Sequence, residues 1–126
     1  MSFRILYIED DPINAYVLQK MLSDYTIDIA QCGEEGMKLF NKNNYDLILM
    51  DINLGDPEKD GVYYLKELRK TEYRTKPIVA VTAYAMSGDR ERFIDAGFDE
   101  YFSKPIEKLR LLLFIEKKKK EGTSQT

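Results

Sequence analysis

Polar side chains that could do chemistry stand directly after four of the five short strand-like segments of this chain. They are Glu9 and Asp10 after the first segment, Asp51 after the third, Thr82 after the fourth and Lys104 after the fifth. Three carboxylates in one place repel one another, which raises their pKa values unless a cation is present. Mg²⁺ prefers oxygen ligands of this kind and leaves room for a phosphoryl oxygen. A carboxylate beside Mg²⁺ can act as a nucleophile towards phosphorus, while a lysine and a hydroxyl can bind the other phosphoryl oxygens.

The composition narrows the chemistry further, because the chain has no histidine and a single cysteine, Cys32. These counts exclude a Ser-His-Asp triad, a histidine-ligated zinc and an intramolecular disulfide. The 126 residues fit one domain. No apolar run approaches the roughly 20 residues of a membrane span, so we expect no membrane insertion. The net charge is −3, and residues 107–126 hold six basic and three acidic residues, so the rest of the chain is acidic. An acidic body argues against nucleic acid as a direct partner.

The elements that must position these side chains alternate between strand and helix patterns. Strands are predicted at 4–8, 26–30, 47–50, 78–81 and 100–103, and helices at 12–24, 33–41, 61–71, 87–96 and 106–118. In the first helix the spacing places Ile13, Val17 and Met21 on one stripe, with Leu18 and Leu22 beside it. Five βα units in this order predict a parallel sheet with helices on both faces, which binds ligands outside the carboxyl ends of its strands. The polar side chains described above are therefore expected at one edge of the sheet.

Four segments of the chain carry a resemblance to a known family. They read ILYIED at 5–10, LILMD at 47–51, IVAVT at 78–82 and YFSKP at 101–105. Together they resemble the receiver domain of two-component response regulators, and the likeness extends from Arg4 to about Lys118. The resemblance implies a CheY-like, flavodoxin-like α/β fold: a doubly wound, five-stranded parallel sheet of order 2-1-3-4-5 with five helices.

The resemblance also implies a role for each matching position. Asp51 resembles the phosphoacceptor, which is also a metal ligand, and Lys104 resembles the lysine of the site. Asp10 resembles the acid that binds Mg²⁺ or Mn²⁺ directly, Glu9 resembles the acid that commonly acts through a metal-bound water, and Asn53 resembles the residue that supplies a backbone carbonyl to the metal. Thr82 resembles the switch hydroxyl, and Tyr101 resembles the switch aromatic. Asp11 is expected to cap the first helix instead of binding metal.

The function that the resemblance implies is a phosphorylation-driven switch. A histidine kinase or a histidine phosphotransfer protein would donate a phosphoryl group to Asp51, and the new charge would change a docking face. Such a protein catalyses only its own phosphorylation and dephosphorylation and turns over no metabolite. We expect it in the cytoplasm, with a receiver domain at 1–119 and a disordered tail at 120–126.

The last predicted helix carries more apolar residues than one face can bury. Residues 111–115 are all apolar and span more than one helical turn, so they cannot all face the sheet. In receivers the fourth helix, fifth strand and fifth helix often form the output or dimer face. We therefore expect this helix to contribute to a homodimer or to the docking of a partner.

Two other interpretations remain open at this point. A phosphatase of the haloacid-dehalogenase type also uses an aspartyl nucleophile, a hydroxyl, a lysine and Mg²⁺. Its second acid, however, lies two residues past the nucleophile, where Asn53 stands here, and its nucleophile follows the first strand. A pseudo-receiver that only binds partners is disfavoured, because every chemical group of the receiver site is present.

Two features depart from the usual receiver pattern. The glycine expected eight positions past the phosphoacceptor stands ten positions past it, at Gly61, and Gly55 occupies the usual proline position. The loop after Asp51 is therefore two residues longer than usual. At a position where receivers vary, Tyr84 stands two residues past Thr82, and we predict that its ring slows hydrolysis of the acyl phosphate by screening it from water.

Overall fold

The computed structural model describes residues 3–83 and 86–124, which form five strands and five α-helices. The strands are β1 (Arg4–Ile8), β2 (Thr26–Ala30), β3 (Leu47–Asp51), β4 (Ile78–Thr82) and β5 (Glu100–Ser103). The helices are α1 (Pro12–Met21), α2 (Gly33–Lys42), α3 (Gly61–Arg69), α4 (Asp89–Ala96) and α5 (Lys108–Ser124), with a short 3₁₀ helix at Glu72–Thr75. The strands are parallel and lie in the order β2-β1-β3-β4-β5, which confirms the predicted flavodoxin-like fold.

The sheet separates two apolar layers because its three central strands are buried on both faces. One layer contains Ile5 and Tyr7 of β1, and it packs against α1 and α5 through residues such as Leu18 and Leu111. The other contains the alternate β1 residues and packs against α2, α3 and α4. Alternation of side chains along a strand explains this division. Odd-numbered residues at the end of β1 and β3 therefore project to the α1–α5 side.

Helix α1 buries one part of the predicted apolar surface and exposes another. Ala15, Leu18 and Leu22 face the sheet, whereas Ile13 is 72% exposed and Val17 is 51% exposed. Met21 packs partly buried against the core, so the predicted stripe was wrong only for Ile13 and Val17. The buried stripe runs on past the end of α1 to Leu22, which is fully buried.

Helix α5 is longer than predicted at its carboxyl end and begins two residues later, at Lys108. It includes residues 120–124, where the sequence predicted a disordered tail, and an ion pair of 3.3 Å between Lys118 and Glu121 supports the helix there. The domain boundary at 119 stays a prediction. Within the predicted apolar run Leu111 and Ile115 are buried, whereas Leu113 is 62% exposed.

Within the ranges 3–83 and 86–124, no helix combines sufficient length and apolar character to span a bilayer.

Candidate active site

Three carboxylates meet at the carboxyl edge of the two central strands β1 and β3. These strands are neighbours, with Ile8 opposite Met50, so the residues that follow them are brought together. Carboxylate oxygens of Glu9, Asp10 and Asp51 lie within 4.8 Å of one another. Glu9 and Asp51 are almost completely buried, at 1% and 3% exposure, whereas Asp10 is exposed. The predicted convergence of these acids is therefore present in the structure.

Lys104 reaches this carboxylate cluster from the end of β5. Its backbone N–H donates to the carbonyl of Thr82 at 2.8 Å, which ties the residue to the neighbouring strand β4. Its ammonium lies 2.6 Å from Oε1 of Glu9 and 3.4 Å from Oδ1 of Asp51. The lysine thus pairs most closely with Glu9, and it bridges the two buried carboxylates.

Tyr7 is a member of the site that the sequence analysis missed. Its hydroxyl donates to Oε1 of Glu9 at 2.7 Å, and the side chain is 1% exposed. The other oxygen of Glu9, Oε2, accepts the backbone N–H of Asp11 at 3.3 Å. The signal in the sequence was a hydroxyl inside an otherwise apolar strand, two residues before Glu9 and therefore on the same face.

The charges of the cluster shift one another because they are buried together. Burial and the Glu9 carboxylate raise the pKa of Asp51 to about 8. Burial opposes the charge of Glu9 as well, but hydrogen bonds with Asp51 and Lys104 lower the pKa of this carboxyl. Burial also opposes the charge of Lys104, yet its hydrogen bond to Glu9 and the charge of Asp51 raise its pKa. A second cation at the cluster would favour the ionised form of Asp51.

Thr82 and Asn53, two further residues of the predicted site, lie at the end of β4 and in the loop after β3. Thr82 is buried at the end of β4, one residue beyond Val81, which pairs with Asp51. Asn53 is exposed in the loop after β3, and its side-chain Oδ1 accepts the backbone N–H of Gly55 at 3.2 Å. The Asn53 side chain thus shapes the loop, and the predicted role of its backbone carbonyl stays a prediction.

Tyr101 packs away from the sheet edge, against helix α4. Its half-buried ring stacks on Phe93, with ring centroids 5.6 Å apart and an interplanar angle of 24°. It lies on β5 opposite Ala80 and packs against the core layer on the α2–α4 side. Tyr84 and its predicted effect on hydrolysis lie outside the described residues.

The two-residue insertion leaves the glycine at the start of α3 in close contact with the site. The N–H of Gly61 donates to the carbonyl of Ile52 at 2.9 Å. A Cβ atom at this position would lie 2.5 Å from the carbonyl oxygen of Asp51 and 2.9 Å from Cα of Ile52. Helix α3 can therefore approach the backbone of Asp51 only because residue 61 has no side chain.

The donor set of the cluster fits a hard divalent cation. Glu9, Asp10 and Asp51 offer carboxylate oxygens, which Mg²⁺ prefers, and one of the three is exposed, which gives an ion access from solvent. Burial and the Glu9 carboxylate raise the pKa of Asp51, and such an ion would oppose both effects by favouring the ionised carboxylate.

Comparison with known proteins identifies the family of the chain. The sequence model of the response regulator receiver domain matches residues 5–116. The chain is 36% identical over 119 residues to the polar-differentiation response regulator DivK of Brucella ovis, covering 92% of this chain and 95% of DivK. It is 31% identical over 114 residues to the signal transduction histidine-protein kinase BarA of Shigella flexneri. That match covers 88% of this chain but spans only 12% of the kinase.

A solved structure agrees in fold. The receiver domain of the sensor histidine kinase PA1611 from Pseudomonas aeruginosa PAO1 has a magnesium ion coordinated in its active-site cleft. It is 34% identical to this chain with a TM-score of 0.80, and the match covers 93% of this chain and 97% of that domain. The haloacid-dehalogenase interpretation is not favoured, since the matched family is one of signalling domains. The chain belongs to the response regulator receiver domain family of two-component systems.

Proposed function

We propose that this protein accepts a phosphoryl group on Asp51 from a phosphohistidine of a partner protein and uses the change in charge as a signal. The observation that carries the proposal is the convergence of Glu9, Asp10 and Asp51 within 4.8 Å, with the ammonium of Lys104 shared between two of them. This set occupies the carboxyl edge of a sheet whose sequence matches the receiver family.

In the proposed transfer an oxygen of the Asp51 carboxylate forms a bond to phosphorus. The bond between phosphorus and the donor imidazole nitrogen breaks, and its electron pair stays on that nitrogen. Lys104 lies 3.4 Å from Oδ1 of Asp51, so its ammonium can neutralise a phosphoryl oxygen bound there. The Thr82 hydroxyl, at the end of the neighbouring strand, would donate to another phosphoryl oxygen. Attack of water on phosphorus would then break its bond to the Asp51 oxygen and release inorganic phosphate, which returns the carboxylate. The protein thus modifies itself and turns over no metabolite.

Glu9, Asp10, Asp51 and the backbone carbonyl of Asn53 would hold Mg²⁺ or Mn²⁺. When bound, this ion supplies positive charge to a phosphoryl oxygen and to the acids that surround it. The support from this chain is the oxygen-only donor set and the raised pKa of Asp51, which burial and the neighbouring Glu9 carboxylate cause.

The signal would leave the site through Thr82 and Tyr101. Movement of the Thr82 hydroxyl towards the phosphoryl group opens space beside β4, and the Tyr101 ring, now stacked on Phe93, would follow it. That movement changes the face formed by α4, β5 and α5. A phosphoryl group adds up to two negative charges and several strong acceptors, which is enough to bias two arrangements of such a face.

The partners are a histidine kinase or a histidine phosphotransfer protein, because the chain itself contains no histidine. A second copy of the chain is a further partner, through the α4–β5–α5 face. Leu109 and Leu113 are both 62% exposed and one turn apart on α5, so they offer an apolar contact there. We place the protein in the cytoplasm, where its phosphodonors act, without direct contact to nucleic acid.

The test is phosphorylation by a small donor. The protein is incubated with acetyl phosphate in the presence of Mg²⁺, and its intact mass is recorded. We expect the wild type and Asp56→Asn, which changes an exposed acid five residues further along the loop, to gain one phosphoryl group. Asp51→Asn should gain none. An unmodified wild type, or an Asp51→Asn protein modified to the same extent, would contradict the proposal.

A further inference from the structure

The buried hydroxyl of Tyr7 has a task beyond filling the core. We infer that Tyr7 is a positioning residue, which holds the Glu9 carboxylate in the orientation needed for a divalent cation and continues to hold it when Lys104 turns to a phosphoryl group. This inference deepens the proposed function and rests on it. Tyr7 acts through its hydrogen bond to Glu9 and not on the reacting atoms themselves.

The geometry places Tyr7 directly beneath Glu9. The two residues lie on the same side of β1, since side chains alternate along a strand. The Tyr7 ring packs in the apolar layer on the α1–α5 side of the sheet, together with Leu49 and Leu111. From there its hydroxyl meets Oε1 of Glu9 at 2.7 Å. A ring locked in this way can adjust little, so it fixes the position of the oxygen it contacts.

Oε1 of Glu9 accepts from two donors, the Tyr7 hydroxyl and the Lys104 ammonium, and the ammonium also lies near Asp51. The ammonium of Lys104 lies 2.6 Å from this oxygen and 3.4 Å from Oδ1 of Asp51. If Lys104 moves to a phosphoryl group on Asp51, its contact with Glu9 lengthens or breaks. The Tyr7 hydroxyl then remains on Oε1, so a buried carboxylate keeps a donor. Oε2, which accepts the Asp11 N–H at 3.3 Å, keeps its direction as well.

The chain offers a matched control for a buried tyrosine that bonds a carboxylate. Tyr45 is also 1% exposed, and its hydroxyl donates to Oδ2 of Asp28 at the same distance of 2.7 Å. Asp28 lies on the edge strand β2, and its other contacts include Arg4, so this pair has no part in the carboxylate cluster. Tyr45→Phe therefore removes the same chemical group from a tyrosine of equal exposure without touching Glu9.

The experiment measures Mg²⁺ binding to the whole protein by isothermal titration calorimetry, and then the rate of phosphorylation by acetyl phosphate as a function of Mg²⁺ concentration. In Tyr7→Phe we expect the Mg²⁺ dissociation constant to rise about tenfold, as for other residues that orient a metal ligand. The half-saturating Mg²⁺ concentration should rise to match, while the rate at saturating Mg²⁺ stays within about twofold of the wild type. In Tyr45→Phe the dissociation constant should equal that of the wild type.

The outcomes separate this inference from the proposed function. A wild type that binds no Mg²⁺ contradicts the proposed function itself. A wild type that binds, with a folded Tyr7→Phe of equal affinity, overturns the inference alone. So does equal weakening in Tyr45→Phe, since the effect would then be general to the core. If Tyr7→Phe does not fold, NMR of ring-labelled wild type decides. A slowly exchanging Tyr7 hydroxyl proton that shifts when Mg²⁺ is added supports the inference, and a rapidly exchanging or unshifted one overturns it.

Discussion

Replacement of Gly61 by alanine tests whether α3 is held against the backbone of the phosphoacceptor. The new Cβ would lie 2.5 Å from the carbonyl oxygen of Asp51, 2.9 Å from Cα of Ile52 and 3.1 Å from Cγ of Met50. Two of these atoms belong to the backbone of the central strand β3 and its continuation, which cannot rotate away. Either α3 moves outwards or the end of β3 is displaced.

The expected loss of stability follows from two opposing effects. Overpacking of a close contact costs about 1–3 kcal/mol. Alanine also restricts the unfolded chain, which returns about 0.4–1 kcal/mol where the backbone conformation suits it, and Gly61 is not among the glycines with positive φ. We therefore expect a net decrease of about 1–2 kcal/mol in the free energy of unfolding, or roughly 5 °C in Tm for a chain of this size. Displacement of Asp51 should also slow phosphorylation about tenfold.

The assay combines thermal unfolding with the rate of phosphorylation by acetyl phosphate at saturating Mg²⁺. Gly97→Ala is the control, because Gly97 has a φ of +125° at the opposite edge of the sheet, and its new Cβ would be at an ordinary distance of 3.5 Å from Leu65. It should lose stability through backbone strain and keep its phosphorylation rate. A Gly61→Ala protein with the Tm and the rate of the wild type would refute the reasoning. A lower Tm with an unchanged rate would show that Asp51 is not displaced.

Three further predictions concern other parts of the fold. Arg69→Met should lower the free energy of unfolding by about 2–3 kcal/mol in urea titrations, because the guanidinium donates to three backbone carbonyls and a carboxylate that join α3 to the segments before β4 and β5. Lys70→Met, at an exposed ion pair, should leave the free energy of unfolding almost unchanged. The free energy of unfolding should fall as the pH rises from about 10 to 12, because the Tyr45 phenol ionises in the unfolded chain before it ionises in the folded one. Burial and the hydrogen-bonded Asp28 carboxylate raise the pKa of Tyr45 to about 12 in the folded protein. Tyr45→Phe should therefore reduce this fall. Leu113→Glu should weaken self-association measured by sedimentation velocity on the phosphorylated protein, whereas Val17→Glu on exposed α1 should not.

Each of these predictions can fail in a specific way. Equal losses of unfolding free energy in Arg69→Met and Lys70→Met would contradict a stabilising role of the Arg69 guanidinium. A fall in stability above about pH 10 that is the same in the phenylalanine variant would assign it to other tyrosines. A protein that is strictly monomeric at high concentration, with and without phosphorylation, would contradict a homodimer through α5.

The sequence could predict the sheet and the convergence of the acids because both depend on patterns along the chain. Asp51 and Lys104 follow segments that end at the same edge, so strand direction alone brings them together. The face of α1 could not be predicted in this way, because Ile13 and Leu18 are both apolar and only packing against the sheet selects one of them. The spacing of Tyr7 and Glu9 places both on one side of β1, but spacing does not show which partner the Tyr7 hydroxyl reaches, and only the packed side chains decide this.

The site residues lie on strands that differ in how readily their backbone hydrogen bonds open. The acids follow β1 and β3, which have a strand on either side, whereas Tyr101 and Lys104 belong to the four-residue edge strand β5 or its end, which pairs with β4 alone. Amide protons of the central strands should therefore exchange with deuterium mainly through global unfolding, and those of β5 through smaller openings of lower free energy. The Lys104 ammonium and the Tyr101 ring can then move by a local fluctuation, while the carboxylates of Glu9, Asp10 and Asp51 keep their positions.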